Sequence, residues 1–164
     1  MRTLCGNVAS NSGELMANVL VMNGPNLDAL GAREPAVYGT TTLSDIVDRL
    51  VSQAKRASHS LSAFQTDSER EFVQHAKTCS DRADFVLLNP AGFTHTSVPL
   101  RDAMALARVP FIEVHLSNPY AREPFRHRSL FADLAVGVVA GFGAQSYELA
   151  LEAAIRWISA KSKN

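Results

Sequence analysis

The sequence predicts an α/β fold: a doubly wound, five-stranded parallel sheet in a single domain. Two observations carry this expectation. Short apolar runs of strand length recur at 18–23, 60–65, 84–89, 111–115 and 136–141, and most of the segments between them repeat their apolar residues with helical period. Apolar strands alternating with amphipathic helices imply a parallel sheet covered on both faces, because each right-handed crossover lays its helix over one face.

Residues 18–23, NVLVMN, form the first strand, closed by the turn signal Gly24-Pro25. From Thr42 the period changes, and Leu43, Ile46, Val47, Leu50, Val51 and Ala54 fall on one helical stripe. Thr42 with Asp45 three residues on resembles a capping box, which sets where this helix starts. SLSAFQ (60–65) is the second strand, and Phe72, Val73, Ala76 and Cys79 give the next helical face. DFVLLN (84–89) is the strongest buried-strand signal in the chain. Leu100, Met104 and Ala107 mark a third helix over 97–108, with Ser97 as its N-cap, and Pro110 breaks the pattern before FIEVH (111–115). VGVVAG (136–141) is the fifth strand, and Tyr147, Ala150, Leu151, Ala154, Ile155 and Ile158 stripe a final helix. Five βα units result.

A chain of 164 residues fits one domain. Residues 18–164 read as that domain, with no internal repeat or linker, and residues 1–17 as a disordered tail that lacks the features of a signal or transit peptide. Sixteen basic residues balance sixteen acidic ones, so no net field draws the protein to nucleic acid, and a small molecule is the expected partner. No apolar run approaches the ~20 residues that span a membrane. The two cysteines, Cys5 and Cys79, have no ligand-like spacing, which argues against a metal site and fits a reducing cytoplasm.

In an open α/β sheet the ligand crevice lies beyond the carboxyl ends of the strands, so the residues there are the first candidates for chemistry. The loop after the first strand, running from Asn23 to Gly39, is far longer than the 2–6 residues usual for such a connection. It carries Arg33 and Tyr38. A tyrosine acts as a general base only if its pKa falls from ~10 towards neutrality, which takes ~4 kcal/mol of preferential phenolate stabilisation, and a nearby arginine can supply much of it. Packing of the Tyr38 ring at the loop base is the alternative. Asn89 and the run Thr94 to Ser97 gather neutral hydrogen-bonding groups suited to a polyhydroxylated ligand. On the fourth strand the period of two puts Glu113 and His115 on one face, where a carboxylate can fix the imidazole tautomer and leave the other nitrogen to give a proton; a structural ion pair is the competing reading. Arg122, Arg126 and Arg128 then fall within eight residues, implying an anion.

The segments NGPNL, GAREPAVYG, NPAGFTHTS, LRDA, IEVHLSN, REPFRHRS and GFGAQSYELAL resemble, in wording and order, the type II 3-dehydroquinate dehydratases over about residues 19–158. The resemblance implies a flavodoxin-like sheet and dehydration of 3-dehydroquinate to 3-dehydroshikimate with no cofactor and no metal. By the family pattern Tyr38 is the base, Arg33 lowers its pKa, Asn26 helps hold a water against the enolate, and His115, oriented by Glu113, protonates the departing hydroxyl. Asn89 would hold that hydroxyl, the amides of Leu116 and Ser117 the substrate carboxylate, and His95 and Arg126 the ring hydroxyls. Asp102 would reach a neighbouring subunit's site in a dodecamer built from trimers. The chain departs from the pattern in the order Ala91-Gly92, in Phe93 and in Arg128.

A nucleotide-binding module is the second reading, but the Gly141 to Ser146 run opens the last helix instead of the first and lacks a third glycine. A phosphoacceptor domain would want acidic residues where Asn23 and Asn89 stand. Imine chemistry needs a lysine in the site, whereas Lys55, Lys77, Lys161 and Lys163 lie on expected helices or the tail.

Overall fold

The computed structural model describes residues 16–31 and 40–161. Five strands, β1 (Asn18–Asn23), β2 (Ser60–Gln65), β3 (Phe85–Asn89), β4 (Phe111–His115) and β5 (Gly137–Ala140), pair in parallel in the order β2-β1-β3-β4-β5. Four α-helices accompany them among the described residues: α1 (Leu43–Arg56), α2 (Glu69–Lys77), α3 (Val98–Ala107) and α4 (Gln145–Lys161). The sheet is the one expected from the sequence, and its flavodoxin-like order confirms the fold class. The count of βα units needs correction. Between β4 and β5 the chain makes two 3-10 turns, Pro119–Ala121 and Pro124–Arg126, and no α-helix. Two prolines five residues apart deny a helix its amide donors there.

Alternation along the inner strands sorts the core into two layers. Val19, Val21, Phe85, Leu87, Ile112 and Val114 pack with α1 and α4, whereas Leu20, Met22, Val86, Leu88 and Phe111 pack with α2 and α3. Each such side chain contributes ~1.5–3 kcal/mol by leaving water, which is why the central β3 is apolar up to its final Asn89 and buried at every position. The helix starts follow their caps. Thr42 Oγ1 accepts from the Asp45 amide at 3.1 Å while Asp45 Oδ2 accepts from the Thr42 amide at 2.9 Å, and Ser97 Oγ accepts from the Leu100 amide at 3.1 Å. The stripe on α1 is narrower than its periodicity suggests, since Ile46, Leu50 and Ala54 are buried but Val51 is exposed. Cys79 is buried in a 3-10 turn just past the end of α2.

The chain moves outward from β1 to β2 and then crosses back to β3, so a crevice opens where the direction reverses, beyond the carboxyl ends of β1 and β3. Those ends touch. Asn23 pairs in register with Asn89, and the Gly24 amide donates to the Asn89 carbonyl at 2.8 Å. A Cβ on Gly24 would lie 2.3 Å from the Pro90 carbonyl oxygen, so only glycine lets the two exits run this close. Among the described residues no helix is long and apolar enough to cross a membrane.

Candidate active site

A cavity of about 250 Å³ lies beyond the ends of β1, β3 and β4. Asn26 reaches it from the turn after β1, where its backbone takes φ 63°, a left-handed conformation that asparagine tolerates, and its amide donates to Asp67 Oδ1 at 2.8 Å. Asn89 and His95 enter from the end of β3 and the 3-10 turn that follows it. His115, Leu116 and Ser117 come from the end of β4, and Arg122 and Arg126 from the two turns beyond. Asp102 is exposed on α3 and does not line the cavity of its own chain. Arg33 and Tyr38 lie outside the described residues.

Glu113 is the one charged residue within the inner strands, and it is fully buried. Its Oε1 lies 2.6 Å from His115 Nε2, as the strand period led one to expect, and its Oε2 accepts from Ser129 Oγ at 2.8 Å. Both carboxylate oxygens are therefore engaged, and the Nε2 edge of His115 is tied inward, which leaves Nδ1 as the nitrogen available to a ligand. His95 is anchored by its own Nδ1, 2.7 Å from the Arg128 carbonyl, which leaves Nε2. Arg128 is itself exposed and does not line the cavity, so its departure from the family pattern leaves the cavity wall unchanged.

The two central strand ends are joined by a residue far away in sequence. Tyr147, buried near the start of α4, donates to Asn23 Oδ1 at 2.6 Å and accepts from Asn89 Nδ2 at 2.7 Å. Asn89 Oδ1 meanwhile accepts from the Ala91 amide at 3.1 Å. The Asn89 amide is thereby fixed at both ends and keeps one Nδ2 hydrogen for the cavity, so it acts there as a donor. Burial pushes the Tyr147 phenol above its ordinary range, against the weaker opposing effect of the Asn89 hydrogen bond. At the mouth, Arg126 Nε donates to Glu123 Oε2 at 2.7 Å, with Arg122 Nε 3.5 Å from the same oxygen. The backbone amide of Glu123, then Arg126, hold that carboxyl below the usual range.

Tyr147 and Ser129 are the polar residues that sequence reasoning did not single out. Tyr147 was legible only as one member of an apolar stripe, although a buried tyrosine needs a partner for its hydroxyl and that need was the available signal. Among the described residues no cluster of His, Cys, Asp or Glu could hold a metal ion.

Fold and cleft together define a flavodoxin-like α/β protein with a small polar pocket built at its strand ends. The sequence model of the family described as dehydroquinase class II matches residues 17–155. Curated relatives include a 3-dehydroquinate dehydratase of Stenotrophomonas maltophilia (strain K279a), 56% identical over 88% of this chain and 99% of its own, and one of Chromobacterium violaceum, 56% identical over 90% and 96%. The crystal structure of type II dehydroquinase from Propionibacterium acnes superposes with a TM-score of 0.81 at 39% identity, covering 88% of this chain and 99% of that one. The chain belongs to the class II dehydroquinase family, and with it to the lyases described as 3-dehydroquinate dehydratases.

Proposed function

We propose that the chain converts 3-dehydroquinate to 3-dehydroshikimate through an enolate, with Tyr38 as base and His115 as acid. Tyr38, as phenolate, takes the C2 proton, and the C–H electron pair moves into an enolate on the C3 oxygen. Collapse of the enolate forms the C1–C2 double bond and expels the C1 hydroxyl, which leaves as water with a proton from His115 Nδ1. The observation that carries this reading is the buried Glu113 carboxylate 2.6 Å from His115 at the cavity wall. A carboxylate in that place accepts the imidazole Nε2–H and aims the other nitrogen at the leaving group. Asn89, held as a donor, suits the hydroxyl oxygen on which charge develops. Arg33 lowers the Tyr38 pKa, Asn26 holds a water against the enolate, the Leu116 and Ser117 amides take the substrate carboxylate, and His95 and Arg126 take ring hydroxyls. No cofactor enters these steps.

The same proposal includes a dodecamer built of four trimers, in the cytoplasm. Asp102, exposed on α3 away from the cavity of its own chain, could serve a site only in a neighbouring copy, and the exposed apolar residues Leu106, Val136 and Val138 would suit subunit contacts. Cys79 is a free buried thiol, which suits a reducing compartment.

The near-ultraviolet absorbance of the conjugated product tests the chemistry. Wild-type protein is expected to turn over 3-dehydroquinate, and Tyr38→Phe to lose roughly 10²–10⁴-fold in kcat, the range for a positioned general base. An inactive wild type rejects the reaction, whereas a fully active Tyr38→Phe removes Tyr38 as the base.

A further inference from the structure

One short segment, Arg128-Ser129, holds both site histidines. The Arg128 carbonyl accepts from His95, and Ser129 Oγ donates to the carboxylate that holds His115. The direction of the Ser129 hydrogen bond is dictated by its other partners. Its oxygen accepts from the Phe131 amide at 2.9 Å and the Ala132 amide at 3.1 Å, which occupies both lone pairs. The single hydroxyl proton must then go to Glu113 Oε2, 2.8 Å away. The segment is itself tethered, since the Leu130 amide donates to the Thr94 carbonyl at 2.9 Å and Arg101 Nη2 donates to Asp133 Oδ2 at 2.8 Å.

A buried carboxyl beside an imidazole has two arrangements of one proton. As an anion it accepts the Nε2–H of an imidazolium that also carries Nδ1–H, and as a neutral acid it donates to a bare Nε2 and leaves a neutral imidazole with its proton on Nδ1. A hydroxyl that donates to the carboxylate favours the first, because the anion is the better acceptor. We propose that Ser129 is a positioning residue for the dehydration, acting through Glu113 to keep His115 protonated on both nitrogens, with Nε2–H held by the carboxylate and Nδ1–H turned to the substrate. This rests on the reading of His115 as the acid.

The ¹⁵N shifts of the imidazole nitrogens, combined with steady-state kinetics, test the proposal. His115 is distinguished from the other four histidines by the signals lost in His115→Asn. Wild-type His115 is expected with protons on both nitrogens. Ser129→Ala should populate the neutral Nδ1–H form, with Nε2 bare, and lower kcat roughly ten- to a hundredfold, the effect of losing a hydrogen bond to a buried charge, with KM within about twofold. Ser129→Thr, which keeps the hydroxyl, should restore both. Ser129→Cys, with a weak donor in place of the strong one, serves the same measurement if the alanine variant folds poorly. The proposal is overturned by unchanged protonation of His115 in the variant lacking the hydroxyl, by an unchanged kcat, or by loss that threonine fails to rescue. Absence of turnover in the wild type would reject the proposed reaction instead, and the ¹⁵N comparison would still decide the role of Ser129.

Discussion

Replacing Tyr147 by phenylalanine isolates the hydroxyl that bridges the two central strands, because the ring keeps its place in the core. The change strips Asn23 Oδ1 of its donor and Asn89 Nδ2 of its acceptor, both in buried surroundings. Each unsatisfied group costs ~1–3 kcal/mol, so Tyr147→Phe should lose about 2–6 kcal/mol at neutral pH, or roughly 4–24 °C in Tm for a domain of this size. The loss also depends on pH. Burial raises the folded-state pKa of the Tyr147 phenol above its unfolded value of ~10, so the unfolded chain releases a proton there that the folded chain keeps. That contribution to stability is fully present below pH ~10 and falls by about 1.4 kcal/mol per pH unit above it. The phenylalanine variant has no such group, so the gap between the two proteins should shrink by about 1.4 kcal/mol at pH 11. Urea unfolding of both proteins at pH 7.5, 10 and 11, at one protein concentration, measures it. A gap under about 0.5 kcal/mol at pH 7.5, or one that stays constant to pH 11, would refute the bridge and its neutral burial.

Two further outcomes follow from the same geometry. Gly24→Ala should cost about 3 kcal/mol, the upper end for overpacking, because its Cβ would meet Pro90 backbone at 2.3 and 2.7 Å, which can move only if β1 and β3 part; a urea midpoint equal to wild type would contradict this. Borohydride added with 3-dehydroquinate should leave the protein active and unlabelled, since Lys55, Lys77 and Lys161 sit exposed on α1, α2 and α4 and none lines the cavity. A lysine adduct found by mass spectrometry would argue for imine chemistry.

The strands were legible because most are short, largely apolar runs bounded by turn residues, and β1, β2 and β4 begin and end where their sequences do. The Glu113–His115 pair was legible for a simpler reason: two residues apart on a strand must share a face. What stayed hidden depends on assembly. Tyr147 meets Asn23 and Asn89 across 124 and 58 residues, contacts that exist only once α4 lies on the finished sheet. Ser129 follows an arginine-rich stretch whose charges draw attention to an anion, whereas its hydroxyl and the Arg128 carbonyl face inward, and no periodicity marks either.

The energetic cost of the end of β4 points to chemistry there. Taking a carboxylate fully out of water carries a penalty of several kcal/mol even after relaxation, and a well-packed apolar side chain in its place is often as stable or more so. Glu113 shares its face of the strand with Phe111, whose surroundings are apolar, so stability alone would favour an aliphatic residue. The exposed Arg101–Asp133 pair makes the contrast, because its ions keep much of their hydration and contribute ~0–1 kcal/mol. Among the described residues the burial at Glu113 is offset by His115 on one oxygen and Ser129 on the other, and both bonds also constrain the orientation of the imidazole. A buried charge whose compensation is spent aiming one histidine into a polar cavity is better explained by proton transfer than by folding.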